Sequence, residues 1–133
     1  MRQSILFLPL AILFLLACPV SEEERIYQVV NRREVALRNK DLSLYLSCIS
    51  KTYHGKDEDF DRLRNRIGGY FSAFDRIEYS SWGRSIQLEG DTARVIQEFH
   101  LEVEKGGKKD NYAGKEALLL KRDGREWKIT GGL

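Results

Sequence analysis

The sequence predicts an α+β domain in which three N-terminal helices pack on a curved antiparallel sheet. Two patterns carry this prediction. From residue 22 to residue 74 the apolar side chains recur at the spacing of amphipathic helices, and after Asp75 they alternate with polar ones as in strands. Turn sequences such as Gly90-Asp91 and Asp123-Gly124 then separate the strands. Helices followed by a run of strands are typical of the α+β class.

The first helix is predicted over about residues 22–39. It opens with Ser21 and three glutamates, which is a capping sequence that suits the positive end of a helix dipole. Its apolar stripe is interrupted by Arg33, and further basic residues crowd its second half, as the dipole favours.

Two shorter helices follow. Asp41 can cap the second helix, because an aspartate side chain accepts hydrogen bonds from the backbone at a helix start. The third begins near Asp57 or Asp59 and has the clearest apolar stripe in the chain. Gly68 and Gly69 in its middle indicate close packing or a kink, since glycine weakens a helix interior.

The remaining sequence predicts a sheet of successive hairpins. In the strand over 92–103, Gln97 shares an otherwise apolar face, and Ile96 shares the opposite, charged face, so this strand should be half-buried. Residues 106–111 are polar and predict a hairpin loop. The other predicted strands cover 77–81 and 86–88, interrupted near Trp82-Gly83, then 112–121 and 126–130.

Residues 1–17 have the three parts of an export signal. Arg2 supplies the positive start, and residues 5–16 form an apolar run that is shorter than the roughly 20 residues needed to span a bilayer. Pro9 further disfavours a spanning helix, because it breaks the helix inside this run.

The end of this segment, Leu15-Leu16-Ala17-Cys18, resembles the lipobox of bacterial lipoproteins. The resemblance covers residues 1–18 and implies cleavage after Ala17, lipidation of Cys18 and attachment to a membrane. Pro19 follows where an aspartate would favour retention in the inner membrane, which points to the periplasmic face of the outer membrane. The alternative is an ordinary secretory signal that happens to contain a cysteine.

The chain is thereby divided into a signal peptide (1–17), a lipidated tether (18–21) and one domain (22–133). The whole chain contains 22 basic and 20 acidic side chains. Such a balance argues against a nucleic-acid partner and provides no polybasic stripe for anionic lipid. With Cys18 lipidated, Cys48 has no disulfide partner, and it is expected as a small buried residue.

The order of elements over 22–133 resembles the nuclear-transport-factor-2-like family, which includes ketosteroid isomerases and SnoaL-like cyclases. The residues that carry it are Asn39-Lys40-Asp41-Leu42, Gly90-Asp91-Thr92-Ala93, and Asp123-Gly124 before Trp127-Lys128-Ile129. The resemblance implies a cystatin-like cone of helices and sheet, whose open end is often a ligand pocket.

The catalytic residues of the ketosteroid isomerases are only partly matched. Those enzymes use an aspartate base, a tyrosine and a protonated acid. Asp57 lies near the position of the base, but a helix N-cap explains it as well. The tyrosine position falls near Arg33, with Tyr27 well upstream, and the acid would need to be Glu116, the sole carboxylate in 112–122. No catalytic residue is therefore predicted.

Metal and cofactor binding are not predicted either. His54 and His100 lie on different elements and lack the spacing of paired ligands. The acidic run 57–61 is similar to the start of a calcium loop, but Arg62 stands where that loop needs glycine and Gly68 where it needs glutamate.

Four residues are candidates for lining a ligand pocket inside the cone: Tyr53, Trp82, Gln97 and Glu116. The alternative for each of them is core or rim packing. We expect a domain that binds a small or lipid-like ligand without catalysis. Two alternatives stay open, namely a filled cone whose outer sheet face mediates dimerisation or docking to an envelope protein, and an isomerase or dehydratase-like enzyme.

Overall fold

A computed structural model describes residues 18–133, so the predicted signal peptide lies outside the described residues. The elements are α1 (Glu22–Asn39), α2 (Leu42–Ser47), α3 (Phe60–Ala73), β1 (Arg76–Glu89), β2 (Thr92–Lys105), β3 (Lys108–Asp123) and β4 (Glu126–Gly131). The four strands form one antiparallel sheet in the order β1-β2-β3-β4. The predicted α+β architecture, with helices on a curved antiparallel sheet, is confirmed.

The helix starts follow from their caps. Ser21 Oγ accepts a hydrogen bond from Glu24 N at 3.2 Å, and Asp41 Oδ1 accepts one from Leu44 N at 3.0 Å. Of the two residues considered for the start of α3, Asp59 is the cap, because its side chain accepts a hydrogen bond from Arg62 N at 2.9 Å. Each cap satisfies a backbone donor that a helix start leaves free.

Gly68 allows α3 to pack closely against α2. A Cβ atom on Gly68 would lie 3.4 Å from Leu42 Cδ2, whereas one on Gly69 would have no atom within 4 Å. Since α3 runs unbroken from Phe60 to Ala73, the close-packing interpretation of the glycine pair is confirmed for Gly68.

The predicted hairpin loop over 106–111 was wrong, because the turn contains only two residues. Gly106 and Gly107 both have positive φ angles, 58° and 79°, and Lys105 already pairs with Lys108. A two-residue turn with positive φ at both positions matches the twist of the flanking strands. As a result, β3 begins four residues earlier than its side-chain pattern predicted, at Lys108.

The interruption predicted near Trp82-Gly83 is a β-bulge within a continuous β1. Glu98 on β2 pairs with Trp82 and Ile96 pairs with Ser85, so Gly83 and Arg84 together face Gln97. Gly83 has a φ of 65°, which glycine adopts without strain. A bulge of this kind bends the strand and redirects the side chain beside it.

The core lies between the helices and the concave face of the sheet. On β2, Ala93, Val95, Gln97 and Val103 are buried, as the alternation predicted. Cys48 is also fully buried, as expected. Within residues 18–133 we find no helix that combines the length and apolar character needed to cross a membrane.

Candidate functional site

Two regions of different chemistry share the cone, meaning the space between the helices and the concave sheet face. The first, which we call the central polar network, consists of Arg33, Glu34, Tyr79, Arg84, Gln97 and Glu116. The second, which we call the apolar pocket, lies between α3 and the end of the sheet where β1 begins.

Arg33 and Glu116 form the main ion pair of the central polar network. Arg33 projects from α1, and its two terminal nitrogens donate hydrogen bonds to Glu116 Oε1 at 3.1 Å and Glu116 Oε2 at 3.3 Å. Only 7% of the Arg33 side chain and 13% of the Glu116 side chain are exposed. A bidentate geometry of this kind is the strong form of an arginine–carboxylate pair.

Two further residues complete the hydrogen bonding of Glu116. The Tyr79 hydroxyl donates to Glu116 Oε1, and Gln97 Nε2 donates to the same oxygen at 2.8 Å. The Tyr79 ring is stacked on Phe99, and the Arg33 guanidinium lies 5.3 Å from its centroid. The carboxylate is thus held by four donors on three elements.

The bulge in β1 brings a second ion pair into the network. Arg84 Nε donates to Gln97 Oε1 at 2.7 Å, and another Arg84 nitrogen donates to Glu34 Oε1 at 3.1 Å. Ser81 also donates a hydrogen bond to Glu34. Because Gln97 bonds both Arg84 and Glu116, it connects the two ion pairs.

This environment keeps Glu116 ionised. Burial alone would raise the pKa of Glu116, but the charge of Arg33 and the hydrogen bonds from Tyr79 and Gln97 outweigh it and lower the pKa below its ordinary value. Burial raises the pKa of Tyr79, so its hydroxyl stays protonated. Glu116 is therefore an ionised, hydrogen-bonded carboxylate and not an acid that is ready to donate a proton.

The apolar pocket has a volume of about 360 Å³ and is lined mainly by carbon. Within it, Ile67, Ile77 and Val103 are 5% exposed each, whereas Tyr70 and Tyr112 at the rim are 45% and 55% exposed. The lining comes from α1 (Leu37), α3 (Ile67, Tyr70, Phe71, Phe74), β1 (Ile77), β2 (Leu101, Val103) and β3 (Tyr112).

The pocket wall is fixed where two helices end. Lys40, the C-cap of α1, has a φ of 51° and donates a hydrogen bond from Nζ to Phe74 O at 2.9 Å. This contact ties the end of α1 to the end of α3. Two larger grooves, of about 650 and 690 Å³, lie elsewhere on the surface and have mixed polar linings.

No protein-family model and no curated relative matches this sequence. Solved structures do match. A nuclear-transport-factor-2-like superfamily protein from Salmonella enterica subsp. enterica serovar Typhimurium superposes with a TM-score of 0.74 at 14% identity, covering 83% of this chain and 87% of that one. The fold is nuclear-transport-factor-2-like.

Two further neighbours share this nuclear-transport-factor-2-like fold. A candidate dehydratase from Streptomyces avermitilis has a TM-score of 0.73 and 12% identity, and covers 86% of this chain and 95% of its own. A candidate scytalone dehydratase from Novosphingobium aromaticivorans has a TM-score of 0.75 and 10% identity, and covers 84% of this chain and 80% of its own. At such identities the likeness shows the fold alone.

The structure brings together two of the four residues proposed as pocket lining in the nuclear-transport-factor-2-like cone. Gln97 and Glu116 are in direct contact in the central polar network. Tyr53 is buried elsewhere and donates a hydrogen bond to Leu133 O at 3.2 Å, while Trp82 is 51% exposed. None of the four lines the apolar pocket. Whether Gln97 or Glu116 contacts a ligand stays a prediction.

The residues compared with the isomerase site are arranged differently here. Tyr27 is 37% exposed on α1, and its ring lies 4.9 Å from the Arg84 guanidinium. Asp57 is exposed before α3 and uses its backbone oxygen to accept a hydrogen bond from Arg62. The tyrosine that contacts Glu116 is Tyr79 on β1, which sequence comparison missed.

Two signals in the sequence could have pointed to the network. Arg33 interrupts an apolar helix stripe, and a buried arginine requires a carboxylate partner. Gly83 within a strand indicates a bulge, which is the feature that faces Arg84 toward Gln97. Neither signal identifies the partner, because Arg33 and Glu116 are 83 residues apart in sequence.

Proposed function

We propose that this protein is a lipid-anchored envelope protein whose domain binds an apolar or lipid-like ligand in the apolar pocket without catalysing a reaction. One observation carries the proposal. The apolar pocket leaves carbon-lined space open to solvent, while the Glu116 carboxylate in the central polar network is already bound by Arg33, Tyr79 and Gln97.

The size and lining of the pocket support a ligand of this kind. Its volume of about 360 Å³ falls in the range of small-molecule sites, which are mostly apolar with a few polar groups. The hydroxyls of Tyr70 and Tyr112 are the polar groups of the lining, and both residues are at the exposed rim. This arrangement suits an apolar chain with a single polar end.

The state of Glu116 supports a non-catalytic role. An isomerase of this fold needs a neutral carboxylic acid that donates a hydrogen bond to the developing oxyanion. Glu116 instead has a lowered pKa and accepts hydrogen bonds from Arg33, Tyr79 and Gln97. A dehydratase activity, which the names of two structural neighbours suggest, would need a free acid or base that Glu116 does not provide.

The anchor is proposed from the sequence Leu15-Leu16-Ala17-Cys18. Cys18 is exposed and lies four residues before α1, so a lipid on its sulfur would not disturb the core. Several acyl chains hold a protein on a bilayer far more firmly than one. Pro19 supports the periplasmic face of the outer membrane as the destination.

The ligand is tested by native mass spectrometry on residues 18–133, purified without detergent. We expect a bound mass that disappears on denaturation. In the pocket, Leu101→Glu should abolish the bound mass, because a carboxylate in an apolar site is strongly unfavourable. The matched control is Leu119→Glu, since Leu119 is 47% exposed and outside the apolar pocket. A ligand-free wild type, or equal loss in both variants, contradicts the proposal.

The anchor is tested separately by the mass and location of the full chain in a bacterial host. The mature protein should begin at Cys18 and carry the mass of a diacylglyceryl group and an N-acyl chain. Cys18→Ser should leave an unlipidated protein. Cleavage at another residue without added lipid would support the ordinary secretory signal instead.

A second function, protein–protein docking, is supported by the free edge of the sheet. Among the described residues, β4 pairs with β3 only from Leu119 to Asp123, so the preceding residues of β3 pair with β2 on one edge and have no partner strand on the other. Trp82 and Leu119 are also exposed. Unpaired strands and exposed apolar residues favour association. Analytical ultracentrifugation would detect a homodimer, and Leu119→Lys should dissociate it.

A further inference from the structure

A depression between α1 and β4 is lined mainly by positive charge. Four basic side chains line it, and Glu126 is the only acidic one among its lining residues within 18–133. Arg25 on α1 donates a hydrogen bond to the backbone oxygen of Arg125, which brings the helix and the β3–β4 turn together. The four basic residues are Arg25, Arg32, Arg125 and Lys128.

A neighbouring groove extends this positive surface and shares Lys128 with it. Lys51 and Lys121 line the groove, together with Arg122 and Asp123. Arg122 contributes little free charge, because it forms ion pairs with Glu22 at 3.3 Å and Asp91 at 2.7 Å. We define the basic patch as the other six residues: Arg25, Arg32, Lys51, Lys121, Arg125 and Lys128.

The charge of the basic patch is largely uncompensated. Within the described part of the chain, Lys128 is the only one of the six that has an ion-pair partner, Glu126 at 3.6 Å. The whole chain has a formal net charge of only +2, so this surface is far more positive than the average of the molecule. The sequence shows no contiguous basic stripe, because the fold assembles the patch from α1, the segment after α2 and the β3–β4 hairpin.

The basic patch adjoins the point where the anchor joins the domain. Glu22, the first residue of α1, accepts a hydrogen bond from Trp127 Nε1 at 2.6 Å, which places the start of α1 on β4. Cys18 precedes Glu22 by four residues, so its sulfur is at most about 14 Å of extended chain away. A lipid on Cys18 therefore holds this end of the domain at the bilayer surface.

The acidic start of α1 does not cancel the patch. Successive residues of a helix are rotated by about 100°, so Arg32 lies on nearly the same side as Arg25, two turns further along. By the same rotation, Glu23 lies on roughly the opposite side of α1 from Arg25. Glu22 does lie on the side of α1 next to β4, but it forms its ion pair with Arg122, which is outside the patch, and accepts a hydrogen bond from Trp127.

We infer that the basic patch docks on anionic phospholipid head groups of the membrane that holds the lipid anchor. This inference rests on the anchor of the proposed function. Lysine and arginine side chains within a Debye length of an anionic bilayer are attracted to its surface potential. Docking would leave the apolar pocket accessible, because its lining residue on α1, Leu37, lies about 18 Å along the helix axis from Arg25 and about 140° around the helix from Arg32.

The inference is tested by lysine acylation of the intact lipoprotein in vesicles, read by mass spectrometry. One set of vesicles contains phosphatidylglycerol, and the other is pure phosphatidylcholine. Lys51 and Lys121 report on the patch, and the exposed Lys108 and Lys115 on β3 are the internal controls. We expect roughly fivefold slower labelling of the patch lysines on anionic vesicles, reversed by salt, with the controls unchanged.

A charge-reversal variant and a matched control sharpen the test. The double variant Arg32→Glu and Arg125→Glu should remove the protection, whereas Lys105→Glu and Lys109→Glu, with the same charge change at the far hairpin, should not. Equal labelling on both kinds of vesicle, with the protein still bound to them, overturns the docking of the patch but not the anchor. Protein that does not float with vesicles overturns the anchor as well.

Two further experiments distinguish binding of a soluble anion or a nucleic acid from binding of the membrane. Inorganic phosphate or double-stranded DNA is added to the same protein in phosphatidylcholine vesicles. If either one protects Lys51 and Lys121 to the same extent, the patch binds a soluble anion or a nucleic acid, and the lipid assignment is overturned.

Discussion

The centre of the cone and its apolar end are built on the same strands, yet their chemistry is opposite. On β2, Gln97 belongs to the central polar network, while Leu101 lines the apolar pocket about 13 Å further along the strand. On β3, Glu116 and Tyr112 make the same contrast. On each strand, only four residues separate the hydrogen-bonded polar side chain from the apolar surface of the open pocket.

The comparison shows which part of the cone has binding capacity left. Every polar atom that Glu116 offers is already used by Arg33, Tyr79 and Gln97. A ligand would have to displace these groups and desolvate a charge, which is costly. The apolar pocket has no such cost, because burial of its carbon surface against a ligand is favourable. In the proposed function, the network therefore acts as structure, and the pocket is the binding site.

The largest expected effect comes from Glu116→Leu. It leaves the Arg33 guanidinium buried without a partner, and should lower the free energy of unfolding by about 3–5 kcal/mol in urea titrations. The double variant Arg33→Met with Glu116→Leu should recover much of this loss, while Glu98→Leu, an exposed control, should change stability by less than about 0.5 kcal/mol. A small loss in Glu116→Leu would mean that the network is not structural.

The pH dependence of the free energy of unfolding should reveal part of the stabilisation that Glu116 provides. The folded-state pKa of Glu116 is below its ordinary value of 4.5, so its stabilisation is fully present above pH 4.5 and is lost as the pH falls through the folded pKa. Glu58, paired with Arg66, contributes in the same direction. In urea titrations from pH 7 to pH 3, Glu116→Gln should show a shallower loss than the wild type. An unchanged slope would contradict the lowered pKa.

The next effect concerns the apolar pocket. Affinity for a series of straight-chain alcohols should rise about fourfold with each added methylene, as expected for roughly 0.8 kcal/mol of burial, until the pocket is full. Isothermal titration calorimetry can follow this series, with Leu101→Glu as the variant that should flatten it. An affinity that does not depend on chain length would indicate binding outside the pocket.

The smallest effect concerns α3, the wall of the pocket. Gly69→Ala should raise the free energy of unfolding by about 0.4–1 kcal/mol, because the new methyl group meets no atom within 4 Å. Gly68→Ala is the matched comparison and should gain less, since its Cβ would contact Leu42 at 3.4 Å. Thermal unfolding distinguishes the two. Alcohol affinity that stays unchanged in Gly69→Ala would show that the pocket is preformed.

Local features of the fold were predictable from the sequence, and contacts between distant residues were not. The caps Ser21, Asp41 and Asp59 act on residues within three positions, so sequence inspection could locate them. The Arg33–Glu116 pair depends on the packing of α1 across the sheet. Similarly, the polar residues 106–111 predicted a six-residue loop, but strand pairing reduces it to a two-residue turn at 106–107.

The placement of the aromatic residues shows the same limit. Phe71 and Phe74 belong to an apolar stripe that predicts core packing, yet both remain half-buried at the mouth of the pocket. Trp82, proposed for the pocket, is exposed, because it lies three positions after the buried Tyr79 and therefore on the opposite face of β1. Alternation indicates which face a residue shares, but not whether another element covers it.

The most direct test of the account is methyl NMR of residues 18–133 during titration with a straight-chain alcohol. We predict saturable shifts of the methyl groups of Ile67, Ile77 and Val103, while those of Ile26 and Ile129 in the core stay unchanged. Shifts confined to the outer face of the sheet, or no shift at saturating alcohol, would contradict the assignment of the apolar pocket as the binding site.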